Sequence, residues 1–418
     1  MSGEDGTPAG LRAHNRQRVL EVLLDRIEQG ATQAELCSAT GLSRPSVSSI
    51  LKGFAAISRG REARNGDEGG AAGRGRTGAS HGIDPLAAWA AAIDIGRNHV
   101  YVGVCDLRGA GGDILNRVEA SPSFEIRRSP LLTLELAADT LNALLDETPQ
   151  LLLDRLAGLV VSLPGPVAND RPRDRILDWG EHDIAKEIWQ ALRSSSPRWY
   201  EREASPHVLV DNDANLSAVA EHTWGVGRGT ANAVYVKWST GLGGGLILDG
   251  ELRRGAGGAG GEFGHTPVPE DLAREVEECP VCGRRCFESA VGFRRLLAER
   301  RWSYQDVQKI AHDPTHSDHR FLADWIGPRA ELLGLALVPI VNTVNPELLI
   351  VDGIVDRQME PLFARQLLGS LERNGAMAAA RSDLTVRGGK FTDSAAARGG
   401  LALAIHELAP GFLLELVK

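Results

Sequence analysis

Three cysteines crowd one short stretch, Cys279-Pro-Val-Cys282-Gly-Arg-Arg-Cys286, and His265 lies upstream. Three thiolates and one imidazole satisfy tetrahedral zinc, and Cys279 with Cys282 forms a Cys-x-x-Cys chelate. The chain has five cysteines in all, too few and too clustered for a disulfide scaffold. The cluster therefore reads as a reduced, cytoplasmic site for a structural Zn2+. Cys37 and Cys105 sit in apolar patterns and read as core residues.

A second kind of chemistry sits in two glycine-bearing turns. Ala91-Ala-Ile-Asp94-Ile-Gly96-Arg97-Asn98 is an apolar run closed by an Asp/Gly turn, and a second apolar run follows to Asp106. Val234-Tyr-Val-Lys-Trp-Ser239-Thr240-Gly241-Leu-Gly243-Gly244-Gly245 repeats the plan. Each reads as a β-hairpin whose turn can present backbone N–H groups to a phosphate. Two such units about 140 residues apart predict a duplicated, two-lobed α/β body with a cleft between the lobes.

The elements ahead of that body are helical. Val19, Leu23 and Ile27 recur at helical spacing, widened by Leu20 and Leu24, which predicts a helix over His14 to Glu28 stopped at Gly30. Thr32-Gln-Ala-Glu35 is a capping box, and the short helix it starts ends at Thr40-Gly41. Ser43 is the next N-cap, with Pro45 tolerated in the first turn. From there Val47, Ile50, Leu51 and Phe54 form an apolar face, while Arg44, Ser46, Ser48, Ser49 and Lys52 point the other way. Two short capped helices with a small, basic, acid-free outer face describe a helix-turn-helix reading a DNA major groove. The bland alternative is a three-helix bundle with a solvated face. Residues 59–82 follow, with Arg59, Arg61 and many glycines. They read equally as a winged-helix wing touching DNA or as a flexible basic linker.

Charge supports that division. The whole chain, 418 residues long, carries a net charge of −9, which excludes a uniformly basic nucleic-acid binder. Residues 1–80 carry 11 Lys/Arg against 9 Asp/Glu, and residues 41–61 carry no acid at all. A short basic stretch on an acidic body suggests a small polyanion-binding module. Apolar content of 43% suffices for a buried core. No apolar run reads as a bilayer span; the longest candidate, Leu332 to Val344, is interrupted by Pro339. No signal peptide is expected in the polar first ten residues.

From Ala91 to about His406 the chain resembles the ROK family of repressors and sugar kinases. The segments that carry the resemblance are Val160-Val-Ser-Leu-Pro164-Gly165-Pro166-Val167, Val210-Asp-Asn212-Asp213-Ala214-Asn215, Ser239 to Gly245, Arg254 to His265, and the Cys cluster with Glu288. The resemblance implies an actin/hexokinase-like, ribonuclease H-like duplicated α/β body behind an all-α winged helix-turn-helix. It divides the chain into residues 1–85, a first lobe at 86–212 completed by 393–418, and a second lobe at 213–392 with the zinc site.

It also implies roles. Asn212, Asp213, Glu262, His265 and Glu288 match sugar-contacting positions, and Asp213 matches the general base of the family's kinases. Carboxylates and imidazole suit a ligand rich in hydroxyl donors. The chain departs from the pattern in four places. Arg175-Ile-Leu-Asp178 lacks an asparagine that contacts sugar, and the middle cysteine is shifted. Arg97 and Asn98 replace the second glycine and the hydroxyl residue of the first phosphate turn. Val351-Asp352-Gly353-Ile354 has one glycine where the family clusters several. Asp94 and Gly96, with Thr240, Gly241 and Gly243, read as the remnant of a nucleotide site, and ATP/Mg2+ is not expected. The favoured reading is a homodimeric or higher-order sugar-responsive repressor of operator DNA, with a sugar or sugar phosphate as effector and no membrane partner. The alternative is an ATP-dependent sugar kinase using Asp213, with Arg97 as a phosphate contact.

Overall fold

The computed structural model describes residues 7–62, 80–96, 99–109, 114–119, 129–173, 179–180, 182–201, 205–352 and 360–417. Helix α1, Pro8–Asp25, starts earlier than its apolar stripe suggests because the Thr7 hydroxyl accepts from the Gly10 amide and Pro8 occupies the first turn. Helix α2, Gln33–Thr40, has the full Thr32/Glu35 capping box and ends at Gly41 in the left-handed region, φ 68°. Helix α3, Arg44–Gly53, is capped by Ser43. The region is not all-helical. Strands β1 (Ala31–Thr32), β2 (Ser58–Glu62) and β3 (Ser80–Ile83) form an antiparallel sheet in the order β1-β3-β2. The turn into β1 needs Gly30: its φ is +65°, and a Cβ there would meet the His81 carbonyl at 2.6 Å.

The body is built twice on one plan. In the first lobe, β4 (Trp89–Ile95), β5 (His99–Asp106) and β6 (Ile114–Glu119) form an antiparallel meander. Helix α4, Pro130–Asp146, leads to β7 (Leu156–Leu163), parallel to β4. A small hairpin of β8 (Val167–Ala168) and β9 (Arg171–Pro172) and then helix α5, Ile184–Ser195, lead to β10 (His207–Asn212), parallel to β7. The sheet order is β10-β7-β4-β5-β6. Helix α6, Asp213–Trp224, crosses to the second lobe.

There β11 (Ala233–Trp238), β12 (Leu242–Leu248) and β13 (Glu251–Leu252) repeat the meander. After the long helix α7, His319–Val344, β14 (Leu348–Asp352) lies parallel to β11. After helix α8, Glu360–Arg373, β15 (Thr385–Gly388) lies parallel to β14. The order β13-β12-β11-β14-β15 mirrors the first sheet.

Each lobe buries its own core. Trp89, Trp179 and Trp199 lie in the first, and Trp238, Phe293 and Phe363 in the second. The C-terminal residues that complete the first lobe form a nearly continuous helical segment. Helix α9, Ala395–Leu403, passes through a widened turn into α10, Ala409–Leu416. Among the described residues Ala395–Leu416, not Leu332 to Val344, is the segment long and apolar enough to cross a membrane. Here its apolar side chains have protein partners. Ala396 and Leu401 join Ala90, Ala92 and Val160 of the first sheet. Ala409 and Leu413 join Val19, Leu20 and Leu23 of α1.

Candidate functional site

The chemistry-bearing residues of the two lobes converge on one cleft. Asp94, Gly96, Asn212, Asp213, Thr240, Gly241, Gly243, Glu262, His265 and Glu288 all line it. The fold explains why. The cleft lies where the carboxyl ends of β4, β10 and β11 meet, and each strand delivers a polar residue as it leaves its apolar sheet.

Asn212 acts first as a helix cap. Its side-chain oxygen accepts from the amides of Ala214 (2.9 Å) and Asn215 (3.0 Å), and its Nδ2 donates to the Gly165 carbonyl at 2.9 Å. That ties the start of α6 to the Pro164-Gly165 turn of the first lobe and places Asp213 at the mouth of the cleft. Asp213 Oδ2 accepts from Lys237 Nζ at 2.7 Å. Asp94 is buried, accepts from Ser162 Oγ at 2.6 Å, and faces His99 Nε2 at 3.6 Å. Burial opposes its ionisation, but the hydrogen bond and charge of His99, the charge of Lys237 and the Ser162 hydroxyl outweigh it and hold its pKa below the ordinary value. Gly241 is required by close approach: a Cβ there would lie 2.7 Å from Glu288 Oε2.

The metal-type residues meet at the edge of this cleft. One donor atom each from His265, Cys279, Cys282 and Cys286 lies within 4.8 Å of the others. His265 Nδ1 is 3.8 Å from the sulfurs of both Cys279 and Cys286. Burial, with the neighbouring Cys279 and Cys282, pushes the Cys286 thiol up to about 12. Three thiolates packed this closely need a cation, so the donor set fits a metal ion. The other side of the imidazole faces the cleft, with Nε2 3.7 Å from a Glu262 carboxylate oxygen. Glu288 is linked similarly. Its Oε1 lies 3.7 Å from Cys279 Sγ and accepts from Arg294 at 3.1 Å.

The family model for ROK proteins matches residues 90–407. The chain belongs to the ROK family. The xylose repressor of Bacillus subtilis is 26% identical over 329 residues, 76% of this chain and 77% of that one. A glucokinase of Thermotoga maritima is 34% identical over 260 residues, 49% of this chain and 80% of that one. The crystal structure of a ROK family transcriptional regulator, a homologue of the E. coli MLC protein, superimposes with a TM-score of 0.70 at 21% identity. It covers 97% of this chain and 99% of that one.

Ahead of the ROK body, α3 presents Arg44, Ser46, Ser49 and Lys52 to solvent, with Ser48 half-buried. Val47 and Phe54 are buried behind them. Arg59 is placed differently from the expected DNA contact. Its guanidinium donates to the carbonyls of Ile27 (2.6 Å) and Glu28 (3.0 Å), closing the turn after α1. Arg61 lies in β2, and its side chain is outside the described residues. So are Arg97, Asn98, Arg175 to Asp178, Gly353, Ile354 and residues 63–79.

Among the cleft residues not singled out from the sequence are Lys237, His99, Asp352, Tyr304 and Gln308. Lys237 had a usable signal: it is the single charge in the apolar strand Ala233-Val-Tyr-Val-Lys-Trp238, and a charge so placed needs a partner. Asp352, which accepts from Tyr235 Oη, stood at the end of its strand in the same way.

Proposed function

We propose that this ROK protein is a DNA-binding regulator whose operator affinity responds to a sugar held between its lobes. The observation that carries the reading is the N-terminal module. A capped helix-turn-helix with an acid-free outer face precedes a cleft lined by hydroxyl-accepting carboxylates. In this reading residues 1–85 form a winged helix-turn-helix, with Arg44, Ser46, Ser48, Ser49 and Lys52 on DNA. Residues 86–212, completed by 393–418, and residues 213–392 form the lobes. Asp213, Glu262, His265 and Glu288 receive sugar hydroxyls, and Asn212 holds Asp213 in place. Zn2+ on His265, Cys279, Cys282 and Cys286 is structural. It fixes the imidazole whose far edge meets Glu262, so metal binding and sugar binding share one side chain. A homodimer reads a two-fold operator.

Fluorescence anisotropy with duplexes selected from a random pool tests this. The expected result is binding that weakens with salt, shifts on addition of one sugar from a panel, and loses about one unit of salt slope for each of Arg44→Ala and Lys52→Ala. Absence of duplex binding at low salt overturns it. A second reading, an ATP-dependent sugar kinase, is favoured by Asp213 at the mouth of the cleft and by the glycine turn Thr240 to Gly245. Asp213-dependent ADP release with Mg2+ and a hexose would establish it.

A further inference from the structure

The duplicated body contains a reversal of charge. Asp94 is the second-last residue of β4, paired with Tyr101 of β5 and Ser162 of β7. Lys237 is the second-last residue of β11, paired with Gly243 of β12 and Asp352 of β14. Equivalent positions of the two repeats therefore carry a carboxylate in one lobe and an ammonium in the other, and both line the same cleft.

The ammonium is closely engaged. It lies 2.7 Å from Asp213 Oδ2 and feels the charges of Asp94 and Asp352 as well. Burial disfavours its charge, but Asp213 and Asp94 outweigh that cost and hold its pKa above the ordinary range.

A phosphoryl-transfer cleft of this architecture needs a divalent cation between carboxylates and triphosphate. Asp213 here already holds in direct contact a cation that is covalently part of the chain, and Asp94 and Asp352 act on its charge. The ammonium occupies the Asp213 oxygen that a metal shell would need, and a second positive charge a few ångströms away is repelled in a partly buried site. The residues present therefore do not fit a metal-bound nucleotide.

We propose that Lys237 is the resident cation of the cleft, standing in for a divalent metal, so that the site takes an uncharged polyol and excludes metal–nucleotide. The proposal rests on the reading of the cleft as a sugar site and identifies the residue that separates it from a kinase site. Its logic is electrostatic. Removing the ammonium takes the contact cation from Asp213 and lowers the positive charge felt by Asp94 and Asp352, which keep their partners Ser162, His99 and Tyr235; hard carboxylate oxygens in such a field favour a divalent ion.

The test is a Mn2+ titration of the full-length, zinc-supplied protein, followed by electron paramagnetic resonance of the free ion. Wild type is expected to bind no cleft Mn2+ up to about 1 mM. Lys237→Met is expected to gain one site, at least about tenfold tighter than any in wild type, and Asp94→Asn in the same chain should abolish it. Lys237→Arg keeps the cation and should gain no site. Lys237→Gln replaces Lys237→Met if the latter does not fold by circular dichroism. The proposal is overturned if the folded neutral variants bind no more Mn2+ than wild type, or if wild type holds Mn2+ at a site that Asp94→Asn removes. Calorimetry of wild type with the sugar panel is read separately. Failure there sinks the sugar reading and leaves the Mn2+ result standing.

Discussion

Replacing Asn212 with alanine tests how the cleft is assembled. The side chain does two structural jobs at once. Its oxygen satisfies the first free amides of α6, Ala214 and Asn215, and its Nδ2 satisfies the Gly165 carbonyl of the turn that follows the neighbouring strand β7. Loss of an N-cap costs about 1 kcal/mol, and a buried carbonyl left without its donor costs about 1–3 kcal/mol more. Asn212 is 6% exposed, so water replaces neither partner easily, and Asn212→Ala should destabilise the start of α6 by about 2–4 kcal/mol. Asn212→Ser separates the terms. A serine hydroxyl caps the helix but is too short to reach Gly165, so only the second cost, about 1–3 kcal/mol, remains. Amide hydrogen exchange reads this directly. Protection at Ala214 and Asn215 should fall by about 30- to 1,000-fold in Asn212→Ala, with Asn212→Ser between it and wild type. Sugar affinity by calorimetry should fall in the same order, because Asp213 is the next residue. If protection in Asn212→Ala stays within about twofold of wild type, outside the range such a loss allows, the cap does not hold Asp213 and the reasoning fails.

Removing the metal with a chelator, or mutating half-buried Cys282 to serine, should weaken sugar binding by about 10- to 100-fold with the DNA module intact; zinc re-addition to the chelated protein should restore it in calorimetry. Glu221 is fully buried, and burial raises its carboxyl pKa above the ordinary value even though Val226, Phe391 and Lys390 donate backbone amides to it. The folded chain therefore binds this proton more tightly than the unfolded one. The group's contribution is full below its unfolded value of 4.5 and is lost as pH rises through the raised value. Urea midpoints of wild type and Glu221→Gln compared at pH 5 and 7 should differ in slope in that sense. Leu413→Ala, at a fully buried site facing α1, should cost about 2–5 kcal/mol. It should leave sugar affinity unchanged while shrinking the sugar-induced change in DNA affinity, measured by anisotropy.

Much of this was legible because it is local. The Thr32/Glu35 box, the Ser43 cap and the left-handed Gly41 follow from a few neighbouring residues, and the two hairpins follow from apolar runs broken by glycine turns. The Cys-x-x-Cys spacing marked the metal cluster for the same reason. What escaped depends on which distant surfaces meet. Arg59 has the chemistry of a phosphate contact, but β2 runs beside the end of α1, where two unpaired carbonyls take its guanidinium. Asn212 looked like a ligand contact. It lines the cleft and also caps α6, and its amide reaches Gly165 because the turn after β7 lies beside the end of β10 in the same sheet. The lone charge of Lys237 in its apolar strand signals that it needs a partner, but which partner is set only when both lobes are folded, since Asp213 belongs to α6 and Asp94 to β4. The helical start at Pro8 was available in Thr7-Pro8, but the apolar stripe begins later and drew the boundary to it.

The C-terminal segment joins the cleft to the N-terminal helices through packing. Ala396, in the first turn of α9, lines the cleft, and α9 makes its most extensive packing with α6, the helix that starts at Asp213. Beyond the widened turn at Ala404–Leu408, α10 shares a core with α1 through Ala409 and Leu413. That core also contains Val47 of α3, Leu107 after β5 and Ala157 of β7. Helix α3 and the first lobe are therefore anchored in one close-packed cluster, and such clusters have discrete arrangements rather than a continuum. A ligand that shifts α6 against α9 changes the strain on this cluster at its α10 side. Arg254 strengthens the same connection: from the second lobe it reaches Asp211 at 2.6 Å and Glu407 of the widened turn at 3.7 Å. Lobe closure and the position of α10 are thus tied by an ion pair as well as by packing. A ligand alters DNA affinity only to the extent that it binds the two arrangements differently. Under the proposed function, α6, α9 and α10 are the elements on which this difference is expected to depend, because they join the cleft to the core that holds α1 and α3.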